Sequence, residues 1–212
     1  MKHLRPSTDH RGLNERAISA AMQLLEDSDP CPPTVDQIAV MLDEPVGRLR
    51  SLFPDDRSVL IASLEQAMIL LIDTCTRAVV KVDPDDPVAQ FSSLGDAYLD
   101  WAHSNPDQFR LMMDCRLVDA LTVPILRRYT DSLSELMVRM LTRARDAGRL
   151  HPREDIPMLV LSSRCYANGV ARMMVDGRLQ EWVPGGEPLA VAKGLTRDFV
   201  RRMARSTQPE PV

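Results

Sequence analysis

The chain has 212 residues, 44% of them hydrophobic, 26% charged and 4% aromatic, with 26 Lys+Arg against 30 Asp+Glu. These proportions fit a globular protein with one or two cores and exclude a disordered or fibrous chain. The formal net charge of −4 excludes a uniformly basic nucleic-acid coat and leaves room for a local basic surface.

Cys31, Cys75, Cys115 and Cys165 lie too far apart for a zinc knuckle or a CxxC pair, and no targeting pattern precedes them. Reduced thiols and a cytoplasmic location are expected. The most apolar stretch, 59–72, is interrupted by Glu65 and Gln66. That falls short of the roughly 18 apolar residues of a membrane span, so no membrane partner is expected.

Sixteen prolines parse the rest, because a proline inside a helix costs about 3 kcal/mol and is placed at ends. The first segment reads as a helix over 14–28, starting after Gly12, with Ala17, Ala21, Leu24 and Leu25 on one face. Thr34 is an N-cap for a second helix over 35–42. Pro45 opens a third over 46–52, and Phe53-Pro54 closes it. Two short helices joined by a tight turn and held on another form a helix-turn-helix candidate.

Beyond residue 55 the proline-free windows 55–83, 88–105, 107–123, 125–151, 158–183 and 189–208 are all of helical length. Phe91, Leu94, Tyr98 and Trp101 recur at helical spacing, as do Leu126, Tyr129, Leu133, Leu136 or Met137, Met140 and Ala144. Asp176-Gly177 reads as a helix end and not a hairpin. The expected fold is all-α with about nine helices: an amino-terminal three-helix helix-turn-helix head and a larger antiparallel helical bundle. Residues 1–54 make the head with its basic arm, 55–205 the bundle, and 206–212 a flexible tail.

The pattern from Ala17-Ile18-Ser19-Ala20-Ala21 and Leu24-Leu25, through Thr34-Val35-Asp36-Gln37-Ile38-Ala39, to Gly47, Leu49, Phe53-Pro54 and Val59-Leu60 resembles the TetR family of one-component transcriptional repressors. The remainder is similar to that family in helical layout. The resemblance implies a homodimeric, ligand-responsive DNA-binding regulator, a repressor, acting on a palindromic operator. Three positions depart from the family pattern. Asp43 stands where a glycine is usual in the turn, Arg50 where a tyrosine holds a phosphate, and Asp56 where a lysine holds another.

With Leu49 and Leu52 pointing inward, a helix over 46–52 leaves Val46, Gly47, Arg48, Arg50 and Ser51 toward a partner. An arginine there can bind a guanine edge with two hydrogen bonds. The expected DNA-facing set is these five with Arg16, Thr34, Gln37 and Arg57. From Thr34 to Leu60, Arg48, Arg50 and Arg57 face Asp36, Asp43, Glu44, Asp55 and Asp56, a net of −2. Over residues 1–16, Lys2, Arg5, Arg11 and Arg16 against Asp9 and Glu15 give +2, an arm able to lie along a groove. The alternative for Arg48 and Arg50 is surface pairing with Asp43, Glu44, Asp55 or Asp56.

In the bundle, soft and aromatic side chains suit an apolar or aromatic effector. The candidates are Tyr98, Trp101, Phe109, Met112, Met113, Met137, Tyr166 and Met173, with Asn168, Arg164 and Arg116 as polar anchors if they face inward. Ordinary core filling is the alternative for each. The last two long helices, 156–176 and 189–204, carry the dimer expectation through Leu159, Ala167, Val170, Leu195 and Phe199, since the family's corresponding helices form a four-helix interface.

Enzyme chemistry finds no support: His3, His10, His103 and His151 are scattered, and neither GxSxG nor a phosphate loop occurs. No cofactor or metal is expected, and the acids of Asp83-Pro84-Asp85-Asp86-Pro87 read as a solvated loop with an N-cap. The rival reading is a helical ligand-binding or protein-interaction module whose DNA-binding head has decayed.

Overall fold

The computed structural model describes residues 8–27, 32–114 and 116–205. Lys2, Arg5, Cys31, Cys115 and the expected tail at 206–212 lie outside the described residues, as does the side chain of Arg11. Among the described residues there are ten α-helices and no strand. The chain divides into two compact units: the described residues of Met1–Met68 and Asp107–Arg127, and those of Ile69–Pro106 and Arg128–Val212.

The first unit contains α1 (Thr8–Asp27), α2 (Val35–Leu42), α3 (Val46–Arg50), the first part of α4 (Asp56–Val79) and most of α6 (Pro106–Met113). Helix α1 starts six residues before the expected Asn14, so Gly12 lies inside it. A single exposed glycine costs a helix about 1 kcal/mol, and Leu13, Ala17 and Ala21, all buried, hold the helix in place. Helix α2 begins with a reciprocal capping box: the Gln37 N–H donates to Thr34 Oγ1 at 3.2 Å and the Thr34 N–H donates to Gln37 Oε1 at 2.9 Å. It ends at Asp43, which adopts the left-handed conformation with φ 53°. Helix α1 packs on α2 and α2 on α3, around Ile38, Ala39 and Leu49.

Helix α3 is shorter than the expected 46–52. The N–H groups of Leu52 and Phe53 both turn back to the Leu49 carbonyl, which closes the helix and seats Phe53 in the core. The window 107–123 is likewise only half helical. Asp114 draws its carboxylate onto the Arg116 N–H, and Asp119 onto the Leu121 N–H, local turns that compete with helix continuation. Helix α4 holds an 18-residue window of mean hydropathy 1.6, long and apolar enough to cross a membrane by length and composition. Of that window 44% is buried inside the protein.

The second unit contains the rest of α4, α5 (Pro87–Ser104), α7 (Pro124–Asp146) from Arg128 on, α8 (Ile156–Val175), the short α9 (Leu179–Trp182) and α10 (Pro188–Arg205). Helix α9 adds one element to the expected count, since Gly177 at φ 72° ends α8 inside the window 158–183. The α5 and α8 starts are capped by Asp86 onto Ala89 N–H and by Asp155 onto Met158 N–H, each with proline in the first turn. Asp86 therefore has the capping role expected for the acidic loop.

Helices α5 and α10 run antiparallel, since Asp96 pairs with Arg197 at 2.7 Å and Asp100 with Lys193 at 2.5 Å. They approach closely at Gly95, where a Cβ would lie 2.9 Å from Thr196 Cγ2. Helix α8 packs against both. The expected stripe of α5 is inside: Phe91, Leu94 and Trp101 are buried, and Tyr98 is half-buried.

Candidate nucleic-acid interface and effector site

The head presents the amino-terminal turn of α3 outward, because Leu49 alone of its five residues is buried. Val46, Gly47, Arg50 and Ser51 are exposed and Arg48 is half-buried. Exposed beside them on α2 are Val40, with 82% of its surface accessible, and Met41. The sequence reading passed over both, since an isolated apolar residue at the end of a short helix reads as core.

Three cations of this face, Arg16, Arg48 and Arg50, are engaged with carboxylates. Glu44, its side chain only 13% exposed, accepts from Arg16 at 3.0 Å through one oxygen and from Arg48 at 2.9 Å through the other. It thereby ties α1 to α3. Burial alone would raise the Glu44 carboxyl; the guanidiniums of Arg48 and Arg16 outweigh it and hold the group below the ordinary value. Arg16 also donates to the Leu42 carbonyl, and Arg50 pairs with Asp36 at 3.0 Å. The surface-pairing alternative thus describes Arg48 and Arg50 in this structure, with Asp36 as a partner that the sequence reading did not name.

Thr34 and Gln37 are the two halves of the α2 capping box, which fixes the helix start beside α3. Ser51 donates its hydroxyl to the Arg48 carbonyl at 2.6 Å. Arg57 is exposed on the first turn of α4. Asp56 accepts the Val35 N–H at 2.8 Å, so its carboxylate belongs to the α2 first turn.

The effector candidates divide by unit. In the first, Phe109 is fully buried on α6, while Met112 and Met113 are half-buried. In the second, the Tyr98 hydroxyl donates to Asn168 Oδ1 at 2.7 Å, and burial pushes its phenol well up. Burial likewise raises the Cys75 thiol to about 12, which keeps it protonated and unreactive. Trp101 is 2% exposed, and its Nε1–H has no acceptor among the described residues.

Met137 is buried and Met173 half-buried. Tyr166 is stacked on Phe199 with centroids 4.7 Å apart and donates to the Leu195 carbonyl. It therefore sits with two residues of the expected dimer face, away from Tyr98's partner Asn168 in bonding. Of the polar anchors, Asn168 and Arg164 meet interior partners. Arg116 does not: it is 87% exposed and chelated by Asp114 through two hydrogen bonds.

A family model described as the tetracyclin repressor-like C-terminal domain matches residues 91–199, half of the chain. The chain belongs to the TetR family. TetR-family proteins are ligand-responsive DNA-binding transcriptional regulators, so this chain is a regulator and not an enzyme. Solved structures agree in fold. A protein of unknown function from Rhodococcus sp. RHA1 superposes with TM-score 0.76 at 22% identity, over 94% of this chain and 100% of that one. A regulatory protein of the tetR family from Rhodococcus RHA1 gives 0.70 at 20% identity, over 94% and 98%. A TetR-family regulator from Syntrophomonas wolfei gives 0.74 at 12% identity, over 95% and 99%. No curated protein matches the chain.

The three departures from the TetR pattern each have a structural counterpart. Asp43 occupies a left-handed position that glycine adopts without strain and that aspartate tolerates better than most residues. Arg50 is paired with Asp36, and Asp56 with the Val35 N–H. On the expected dimer face, Leu159 and Val170 are buried within the chain's own core, Ala167 and Phe199 are half-buried, and Leu195 is exposed. Met158, Leu161 and Gly169 of α8 are exposed as well. Spacing identified the helices that carry apolar surface; it did not identify their outward sides.

Proposed function

We propose that this protein is a homodimeric TetR-type repressor, cytoplasmic, whose operator is palindromic and whose effector is a small apolar or aromatic molecule. Residues 1–54 act as the DNA-binding domain and 55–205 as the effector and dimerisation domain. The observation that carries the reading is the exposed start of α3, where Val46, Gly47, Arg50 and Ser51 face outward and Arg48, among them, is half-buried. Val46 suits a thymine methyl and Arg48 a guanine edge, once Glu44 yields it. Met158 and Leu161 on α8 and Leu195 on α10 supply exposed apolar surface for a two-fold interface.

A second reading, a ligand-binding or interaction module with a decayed head, is favoured by Glu44, Asp36 and Asp56, which place carboxylates where phosphates would have to bind. A gel shift with DNA from beside its own gene, at about 50 mM and about 200 mM salt, separates the two. A retarded band at low salt that weakens at higher salt supports the repressor. Absence of a band at both salts supports the module. Light scattering at micromolar concentration should return twice the 23.8 kDa chain mass; the single mass throughout would remove the dimer from either reading.

A further inference from the structure

Arg164 lies on α8 one turn before Asn168, so the two side chains share a face of that helix. Asn168 receives the Tyr98 hydroxyl from α5, and Arg164 Nη1 donates to Ser134 Oγ on α7. Three helices of one unit thus meet around a half-buried guanidinium. Among the described residues Arg164 has no carboxylate partner; its hydrogen bond goes to a neutral hydroxyl. The acids that α5 could offer are held elsewhere, Asp96 by Arg197 and Asp100 by Lys193, both on α10. Glu135, the residue after Ser134, pairs with Arg139.

Arg143 of the same unit is also held by neutral acceptors, but two of them, Gln90 Oε1 and the Pro84 carbonyl, receive its guanidinium. Arg197 and Lys193 each hold a carboxylate, whereas the hydrogen bond of Arg164 goes to the Ser134 hydroxyl, and a partly desolvated charge without a counter-charge is costly. A second observation points the same way. Trp101, one turn beyond Tyr98 on α5, buries its Nε1–H with no acceptor among the described residues. Donors therefore outnumber acceptors on both sides of the Tyr98–Asn168 bond. A ligand that brings acceptors, and above all negative charge, corrects the imbalance.

We propose that the effector is an apolar molecule bearing a carboxylate, and that Arg164 binds that group beside the Tyr98–Asn168 pair. The inference rests on the reading that the bundle holds an effector, and it narrows the chemical class from apolar or aromatic molecules to those that also carry a negative charge. Guanidinium suits the task, because its planar fork matches a carboxylate through two parallel hydrogen bonds. Release of Ser134 Oγ is a small loss against a charged bond.

The test uses the full chain carrying Trp182→Phe, since Trp182 is exposed on α9 and its removal leaves Trp101 as the fluorescent reporter. Decanoate and 4-phenylbutyrate are compared with their methyl esters and with decanol, by thermal shift and by Trp101 quenching. The acids should bind at least about tenfold tighter than the matching esters, as expected for one charge-assisted contact. Arg164→Gln should erase that preference while leaving ester binding in place, and Arg164→Lys should keep part of it.

Acids and esters binding alike, or an acid preference that survives Arg164→Gln, would overturn the proposal while leaving the bundle as a ligand site. No response to either class would overturn the ligand-site reading along with it. Should Arg164→Gln fail to fold, Arg164→Lys carries the comparison: an unchanged acid-to-ester ratio in it counts against the guanidinium contact.

Discussion

The carboxylate of Asp56, the first residue of α4, accepts the backbone N–H of Val35, the first residue of α2, at 2.8 Å. One side chain thereby satisfies an otherwise open donor at the start of a helix 21 residues earlier. Asp56→Ala should lower the stability of the protein to urea by about 1 kcal/mol, and Asp56→Asn by less, because an amide oxygen still accepts the bond. Sequence comparison alone favours Asp56→Lys as a gain in DNA affinity, through restored phosphate charge. In this structure the same change removes the Val35 acceptor, so tighter binding should come with a lower urea midpoint. An unchanged midpoint in both Asp56→Ala and Asp56→Lys would show that the contact does not form in solution.

Asp43 takes φ 53° at the end of α2, with its own N–H turned back to Ala39 and Val40. Glycine relieves the left-handed strain, and a β-branched residue increases it. Asp43→Gly should therefore raise the melting temperature slightly, by the equivalent of about 0.5 kcal/mol, and Asp43→Val should lower it by more than about 1 kcal/mol. Equal melting temperatures for the two variants would contradict the conformation.

Glu44 holds Arg16 and Arg48 at once. Glu44→Gln removes the carboxylate that neutralises Arg16 and Arg48, which should raise affinity for all DNA sequences and steepen the log-log salt dependence by about 1–2. Discrimination between operator and random DNA should fall, because the added affinity comes from phosphate contacts that every sequence offers. A salt slope identical to wild type would show that losing the carboxylate adds no phosphate contact by Arg16 or Arg48.

Acid should weaken both units in one direction. The Glu44, Glu187 and Asp198 carboxyls all sit below their ordinary values of 4.5, 4.5 and 3.8. The causes are the guanidiniums outweighing burial at Glu44, the Ala190 and Leu189 N–H groups at Glu187, and Arg202 and Arg201 at Asp198. A carboxyl with a depressed folded value contributes its full stabilisation above its unfolded value and loses it as pH falls through the folded one. Melting temperature should then be flat for these groups above about pH 5 and decline below about pH 4. Removing all three carboxylates by Gln or Asn substitution should flatten the acid limb of that profile.

Gly95 on α5 faces Thr196 on α10 with no room for a methyl group, the added Cβ meeting Thr196 Cγ2 at 2.9 Å. Thr196 is buried, and its hydroxyl is tied to the Ala192 carbonyl. Gly95→Ala should cost about 1–2 kcal/mol despite the better helix propensity of alanine. Thr196→Ser removes the opposing methyl and keeps the hydroxyl bond, so the double variant should recover most of the loss. Additive effects of the two substitutions would place the clash elsewhere.

The signals that proved legible in the sequence act within a turn of helix. Thr34, the acidic loop before Pro87, and Gly177 each mark a helix end through groups at most a few residues away, so spacing alone located them. The head motif followed, since α2, the turn at Asp43 and α3 are adjacent in the chain. What tertiary structure decided are the relations between helices, which depend on how each is rotated and where it crosses its neighbour. Asp56 reaches Val35, Glu44 reaches Arg16 from 28 residues away, and Tyr98 meets Asn168 from 70 residues away. The same rotation turned Leu159 and Val170 into the protomer's core, left Leu195 outside, and set Arg164 against a hydroxyl instead of a carboxylate. A helical repeat shows which residues share a side, and only packing determines what that side meets.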